Sequence, residues 1–365
     1  MARKNKSPIG DDRKKISFPR IANYSPVLKY FIENGLGAEY IEPPALTKRT
    51  LEIGTKYSPD NVCAPFKTTL GSQIEALEAG AQTLIMPMGL CRLGYYGELQ
   101  EQILRDLGYE FEMVNLAEYS TGKMKDYVKA VHRINPKVKM GKFTRSGFAA
   151  LKMVEYIDTI EEEYYKNCAF ETEKGAYREA YRKFFFTLNM VSSLREAENA
   201  YRTCREAFDR IPLDKPQQPI RVGVLGEYYT IMDAFSNLDL EQKLADLGAE
   251  VHRWMNLSHR NLHYQGQKNL GVEIQEYCRY EMGPTSTANI WCAKKYAEAG
   301  FDGLIHLKSA GCVPEIDVMP VLQNISRDYK IPVLYLSYDS QTSDTGLSTR
   351  VEAFYDLMSM RKHVK

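Results

Sequence analysis

The sequence predicts an α/β protein: two parallel-sheet domains with a helical insertion between them. Three observations lead there. Short apolar strands alternate with helices toward both ends of the chain. Two segment pairs recur between those ends. The stretch separating them carries helical periodicity alone. A length of 365 residues also exceeds the ~100–200 usual for one domain.

The strands of the first half are expected near 15–19, 38–42, 83–87 and 110–114, and those of the second near 220–225, 249–254, 302–307 and 332–337. The first recurring pair is EQILRDLGYEFEMVNL (101–116) and EQKLADLGAEVHRWMNL (241–257). Each reads as a helix closed by a glycine, Gly108 or Gly248, and followed by a strand. The second pair is EAGAQTLIMPMGLC (78–91) and EAGFDGLIHLKSAGC (298–312). Each holds a helix end, a glycine, an apolar strand and a small-residue turn that ends in cysteine. Upstream, Pro65 and Pro284 each begin a helix, where the missing N–H costs nothing. Residues 124–210 are rich in Lys, Glu, Tyr and Ala, and Pro212 to Pro219 read as an extended linker. The expected domains are therefore 1–123, 124–216 and 217–365.

Composition narrows the function. A net charge of +1 argues against a general grip on nucleic acid. No apolar run reaches the ~18 residues of a membrane span, and the basic start, Met1 to Ser7, lacks the apolar segment of a secretory signal. A cytoplasmic location is expected. Seven cysteines in a reducing compartment are not a disulfide set, and no CxxC pair is present, which removes the zinc-ribbon and thioredoxin readings.

Position sorts these cysteines. Ligands of open α/β sheets bind beyond the carboxyl ends of the strands, where helices begin. Cys91 follows strand 83–87 and precedes helix 95–107. Cys312 follows strand 302–307 and precedes helix 315–328. Cys63 stands just before the helix at 66–79. Helix amino ends favour thiolates and anionic groups. Cys168, Cys204 and Cys292 fall in helical stretches and read as core. Cys278 lies roughly where the second half places its counterpart of Cys63, so it is a candidate fourth ligand. Three thiolates suit a 4Fe-4S cluster with one open iron, able to act as a Lewis acid. Zinc is the alternative, although it usually recruits a histidine and no histidine lies in a cysteine turn. The expected geometry brings all three sulfurs together at the seam between two sheets.

At these residues a family resemblance emerges. Cys91-Arg92-Leu93-Gly94-Tyr95-Tyr96-Gly97-Glu98-Leu99-Gln100, followed by ILRDLGYEFE, resembles a segment of the activase-related 2-hydroxyacyl-CoA dehydratase-like iron–sulfur proteins. Asn61-Val62-Cys63-Ala64-Pro65, Gly226-Glu227-Tyr228 with Asn237, Gly311-Cys312-Val313-Pro314-Glu315 and Ser348-Thr349-Arg350-Val351-Glu352-Ala353-Phe354 resemble further motifs of that group, in consistent order. Met88-Gly89-Leu90 departs from it, where Gly-Pro is common. The resemblance implies two Rossmann-like domains plus a helical part, and a cluster held by Cys63, Cys91 and Cys312. It implies a dimer, homo- or heteromeric, and a separate ATP-hydrolysing activase that delivers one low-potential electron. It also implies an acyl-CoA substrate dehydrated through a ketyl radical. Relatives with a double-cubane 8Fe-9S cluster reduce small molecules instead, and a non-catalytic electron-transfer partner is a further alternative. This chain has no Walker-type phosphate loop, so ATP hydrolysis falls to a partner.

The catalytic candidates are Arg92, Glu227 and Glu315. Arg92 offsets cluster charge, holds an acyl-CoA phosphate, or caps a turn. Glu227 follows a strand at the functional edge. Glu315 either relays protons or, the favoured reading, is a first-turn acid stabilised by the helix dipole. Thr349, Arg350 and Glu352 are expected to begin the last helix, with Ser348 as its cap.

Overall fold

The computed structural model describes residues 13–87, 96–116, 124–259, 270–280, 282–339 and 342–363. The chain divides into two compact units. One comprises residues 1–20 and 25–150, the other 21–24 and 151–365.

The first unit carries strands β1 (Lys15–Ser17), β2 (Glu39–Tyr40), β3 (Thr83–Met86) and β4 (Glu112–Asn115). They form one parallel sheet in the order β2-β1-β3-β4. Its helices are α1 (Ser25–Tyr30), α2 (Lys48–Tyr57), α3 (Ala64–Glu78), α4 (Gly97–Asp106) and α5 (Met124–Ile134). A π-helical turn, Phe31–Leu36, follows α1. Ile16, Ile32, Leu36, Ile85, Val114 and Ile134 meet in one buried cluster. All four residues of β3 are buried, as expected of a parallel strand covered on both faces.

Helix α6 (Met140–Asn167) begins in the first unit and ends in the second. It is followed by α7 (Ala176–Leu188) and α8 (Leu194–Arg210). Every named element from 124 to 210 is helical, as the composition of this stretch predicts.

The second sheet contains β5 (Ile220–Gly226), β6 (Ala249–His252), β7 (Gly303–Ser309) and β8 (Val333–Tyr338). It is also parallel throughout, in the order β6-β5-β7-β8. Its helices are α9 (Tyr228–Met232), α10 (Leu240–Asp246), α11 (Leu270–Glu273), α12 (Pro284–Glu298), α13 (Val313–Tyr329) and α14 (Asp344–His363). Residues 21–24 follow β1 in sequence but belong to this unit, in which the Tyr24 hydroxyl donates to Asp158.

The two sheets thus share one strand order, and the second recurring pair maps onto equivalent strands, β3 and β7. The first pair does not. Its members are α4–β4 and α10–β6, and β4 flanks the third strand of its sheet whereas β6 flanks the first. The shared string is a local device, a helix stopped by a left-handed glycine before a strand, used at two different places. Gly108 (φ 87°) and Gly248 (φ 94°) both adopt that conformation. The last helix also starts earlier than its sequence suggests. It begins at Asp344, with the Leu347 amide donating to the Ser343 carbonyl, so Ser348 lies inside it rather than capping it.

Candidate functional site

In the first unit the strand order reverses direction between β1 and β3, the place where such sheets bind ligands. Cys63 is the N-cap of α3, with Pro65 in the first turn. Its carbonyl accepts from the amides of Phe66 (3.1 Å) and Lys67 (3.4 Å), while its sulfur makes no capping bond. The residue is half-buried. The connection that presents it is held by close packing of α2 on α3. A Cβ on Gly54 would lie 1.7 Å from the Lys67 carbonyl oxygen, and one on Gly71 would lie 2.0 Å from that of Thr50. Only glycine permits this approach.

Cys91 and Arg92 lie outside the described residues, as does Tyr95. The helix that follows them is fixed to the start of α3. Tyr96 packs edge-on against Phe66, with ring centroids 5.1 Å apart. Gln100 Nε2 donates to the Phe66 carbonyl (3.2 Å) and to Thr69 Oγ1 (2.8 Å). Gln73 Nε2 donates to Gln100 Oε1 (3.2 Å) and contacts Met86 Sδ at the end of β3 (3.6 Å). Buried neutral amides therefore tie α3, α4 and β3 together.

The second unit repeats the plan with different chemistry. Cys312 is the N-cap of α13, with Pro314 in the first turn, and its sulfur also makes no capping bond. Its amide donates to Ser309 and its carbonyl accepts from Ile316 (3.0 Å). Both described ligand candidates are thus half-buried cysteines in a Cys-x-Pro helix start. Neither side chain makes a capping bond, and both stand where the helix dipole favours a thiolate. That donor chemistry fits a thiolate-bound metal cluster.

Glu315, three residues after Cys312, is wholly buried, as is His306 on β7. His306 Nε2 and Glu315 Oε2 are 2.7 Å apart. Asn289 Nδ2, on α12, donates to both Glu315 oxygens (3.1 and 3.0 Å). Asn289 Oδ1 accepts from the Gly226 amide (2.9 Å), and its Nδ2 also approaches the Gly226 carbonyl (3.4 Å). Glu315 is therefore not an acid held by the helix dipole alone. A buried carboxylate needs direct hydrogen-bond partners, and it has two. Sequence reading placed His306 in its strand correctly but missed its bond, and missed Asn289 altogether. The residues that meet here are 26 and 9 positions apart, beyond any local spacing rule.

Glu227 is buried too, and it caps the short helix α9 rather than opening into a cleft. Its carboxylate accepts from the amides of Tyr229 (2.8 Å) and Thr230 (3.0 Å) and from the Thr230 hydroxyl (2.9 Å). Burial pushes its carboxyl up to about 7 against those bonds, and the charge of Glu315 adds to the rise. Gly226 before it has φ 150°, and a Cβ there would meet the Leu307 carbonyl oxygen at 2.0 Å.

The remaining cysteines separate as their positions suggest. Cys168, Cys204 and Cys292 are buried, and burial pushes the first two thiols up to about 12, which leaves them inert. The counterpart of Cys63 in the second unit is Gly283, the N-cap of α12, not Cys278. Cys278 lies five residues earlier, after α11, and its thiol donates to the Tyr280 carbonyl (2.9 Å). Among the described residues no group of three His, Cys, Asp or Glu side chains is placed to hold a metal ion. Arg350 donates to the Tyr335 carbonyl (2.6 Å), tying α14 to β8, while Thr349 donates to the Thr345 carbonyl within α14 itself (3.1 Å).

A second polar centre in this unit has no sequence signature. Buried Arg253 donates to Glu161 and Glu241, each at 3.0 Å. Asn23 donates to Glu161 (2.6 Å), and the Ser258 amide donates to Asp158 (2.7 Å). Burial raises the carboxyls of Glu241 to about 7 and Asp158 to about 6. Each of these carboxylates has hydrogen-bond partners within the unit, as in a structural network.

No helix among the described residues is long and apolar enough to cross a membrane. Comparison with curated proteins returned no match. A family model described as CoA enzyme activase uncharacterised domain matches residues 15–255. The match takes in β1 to β6, with Cys63, Cys91 and Glu227, and stops before Cys312 and Glu315. Since it covers more than half of the sequence, the chain belongs to the CoA enzyme activase uncharacterised domain family.

Proposed function

We propose that this chain is an iron–sulfur component of the 2-hydroxyacyl-CoA dehydratase type, with Cys63, Cys91 and Cys312 as thiolate ligands of a 4Fe-4S cluster. The observation that carries the reading is the shared setting of the two described candidates. Each is the half-buried N-cap of a long helix, two residues before a proline, with its sulfur uncommitted to the cap. Membership of a family named for CoA enzyme activases agrees with it. When bound, such a cluster supplies a low-potential electron and one iron position open to a substrate oxygen.

The chain's own residues have distinct tasks in this reading. The amino ends of α3 and α13 present the thiolates and favour their charge. Arg92, next to a ligand, balances negative charge or holds an acyl-CoA phosphate. Glu227 is suited to hold a proton near neutral pH, because burial raises its carboxyl to about 7. A separate ATP-hydrolysing activase delivers the electron, and the chain works in a dimer.

Anaerobic reconstitution with iron and sulfide, followed by metal analysis and electron paramagnetic resonance of the reduced protein, tests this. The expected result is a brown protein with about four irons per chain. Counts near eight irons and nine sulfides would replace the single cubane by a double cubane. Colourless, iron-free protein would overturn the reading.

A further inference from the structure

Two turns emerge at the carboxyl edge of the second sheet, on either side of the place where its strand order reverses. One is Gly226–Glu227, at the end of β5. The other is Ser309–Cys312, which leads from β7 into α13. Neighbouring parallel strands are bonded through their ladder, but the ladder ends where these turns begin. What holds one turn to the other must come from side chains.

The side chain of Asn289 makes such a link. Its carbonyl oxygen accepts from the Gly226 amide, and its amide nitrogen donates to both oxygens of Glu315. Glu315 is the third residue of the helix that Cys312 caps. From the other side, His306 Nε2 bonds the same carboxylate. His306 Nδ1 has no hydrogen-bond partner, so the bond to Glu315 is the polar anchor of this imidazole. Asn289, His306 and Glu315 are each fully buried, so water offers no substitute for any of these bonds. A weaker link runs beside them, from the Ser286 hydroxyl to the Pro314 carbonyl (3.0 Å).

We propose that Asn289 is a positioning residue that locks the Gly226–Glu227 turn to the Cys312-bearing start of α13, with Glu315 and His306 as the other members of the lock. The lock fixes where Cys312 is presented. Its relevance to a metal cluster rests on the function proposed above, but the lock itself does not.

The test uses the full chain and exchanges the two ends of one bond. Asn289→Asp keeps the acceptor for Gly226 but sets a carboxylate against Glu315. Adding Glu315→Gln restores a donor, now from the 315 side, and leaves an acceptor for His306. Hydrogen exchange is followed by mass spectrometry in peptides covering 222–232 and 309–318, with α7 and α8 as the internal reference. N289D is expected to speed exchange in both peptides by about tenfold or more, the loss of a bond to a charged group. N289D/E315Q is expected to return close to wild type. Unchanged exchange in N289D, a rise spread equally over α7 and α8, or a double variant as fast as the single one would each overturn the proposal. After anaerobic reconstitution, the g-values of the reduced protein should shift in N289D and return in the double variant. A wild-type chain that takes up no iron refutes the proposed function, while the exchange result still decides the lock.

Discussion

The two units solve one packing problem in two ways. Each places a buried polar network where the helix before its third strand meets the helix after it. In the first unit the network is Gln73, Gln100 and Thr69, all neutral. In the second it is Asn289, Glu315 and His306. Neutral amides are enough to tie three elements together, so holding the fold does not require ionisable groups. A buried carboxylate is a costlier solution than an amide, because it loses more hydration and must be fully bonded. The second unit uses it beside the turn that carries Cys312. The difference teaches that packing alone does not explain Glu315, and it directs attention to what that carboxylate positions.

The comparison breaks most visibly at His306. His306→Leu leaves the buried Glu315 carboxylate with Asn289 alone, and should destabilise the second unit by about 3 kcal/mol. Both tryptophans of the chain, Trp254 and Trp291, lie in this unit, so urea unfolding followed by indole fluorescence reads it directly. The double variant H306L/E315Q, which removes the stranded charge and keeps an acceptor for Asn289, should recover more than half of that loss. If the single replacement costs nothing, the ionisable network does not carry the load assigned to it.

Titration sharpens the same contrast. Burial raises the carboxyls of Glu227 and Glu241 from 4.5 to about 7, and that of Asp158 from 3.8 to about 6. Between those limits the folded unit keeps protons that the unfolded chain releases. Stability of the second unit should therefore fall as pH rises from about 4.5 to 7 and level off above that. The urea midpoint of tryptophan fluorescence checks this, and a midpoint that climbs steadily through that window contradicts it. The Gln73–Gln100–Thr69 network has no group that titrates there and adds nothing to the slope.

The smallest effect belongs to that neutral network. Gln100→Leu removes donors to Phe66 and Thr69 without stranding a charge, and should cost about 1–2 kcal/mol with no pH dependence. Amide exchange in α3 and α4 measures it. A loss as large as that of H306L would erase the distinction between the two units.

Much of this was legible in the sequence. The strands fall within a few residues of their expected places, because fully covered parallel strands are short apolar runs and the glycines that stop the helices are unmistakable. The placing of Cys63 and Cys312 just ahead of helices was legible for the same reason, since helix starts are local, although the helix after Cys312 begins at Val313 rather than at Glu315. Two things were not. The match between 101–116 and 241–257 reads as a repeat of position, whereas it repeats only a local turn device. The partners of Glu315 lie on other elements, so nothing in its own helix distinguishes a buried carboxylate from an ordinary first-turn acid. Position along a strand or helix can be read from spacing, but a hydrogen bond between α12 and β7 exists only once the sheet has formed.

The central claim concerns which thiols hold iron, and a cysteine scan after anaerobic reconstitution tests it most directly. Iron content is measured for Cys63→Ser, Cys91→Ser and Cys312→Ser, beside Cys168→Ala, Cys204→Ala, Cys278→Ser and Cys292→Ala. The account expects each of the first three to lose most of the iron and each of the last four to keep it. Retention of iron in C63S or C312S, or its loss in C278S, would contradict the assignment.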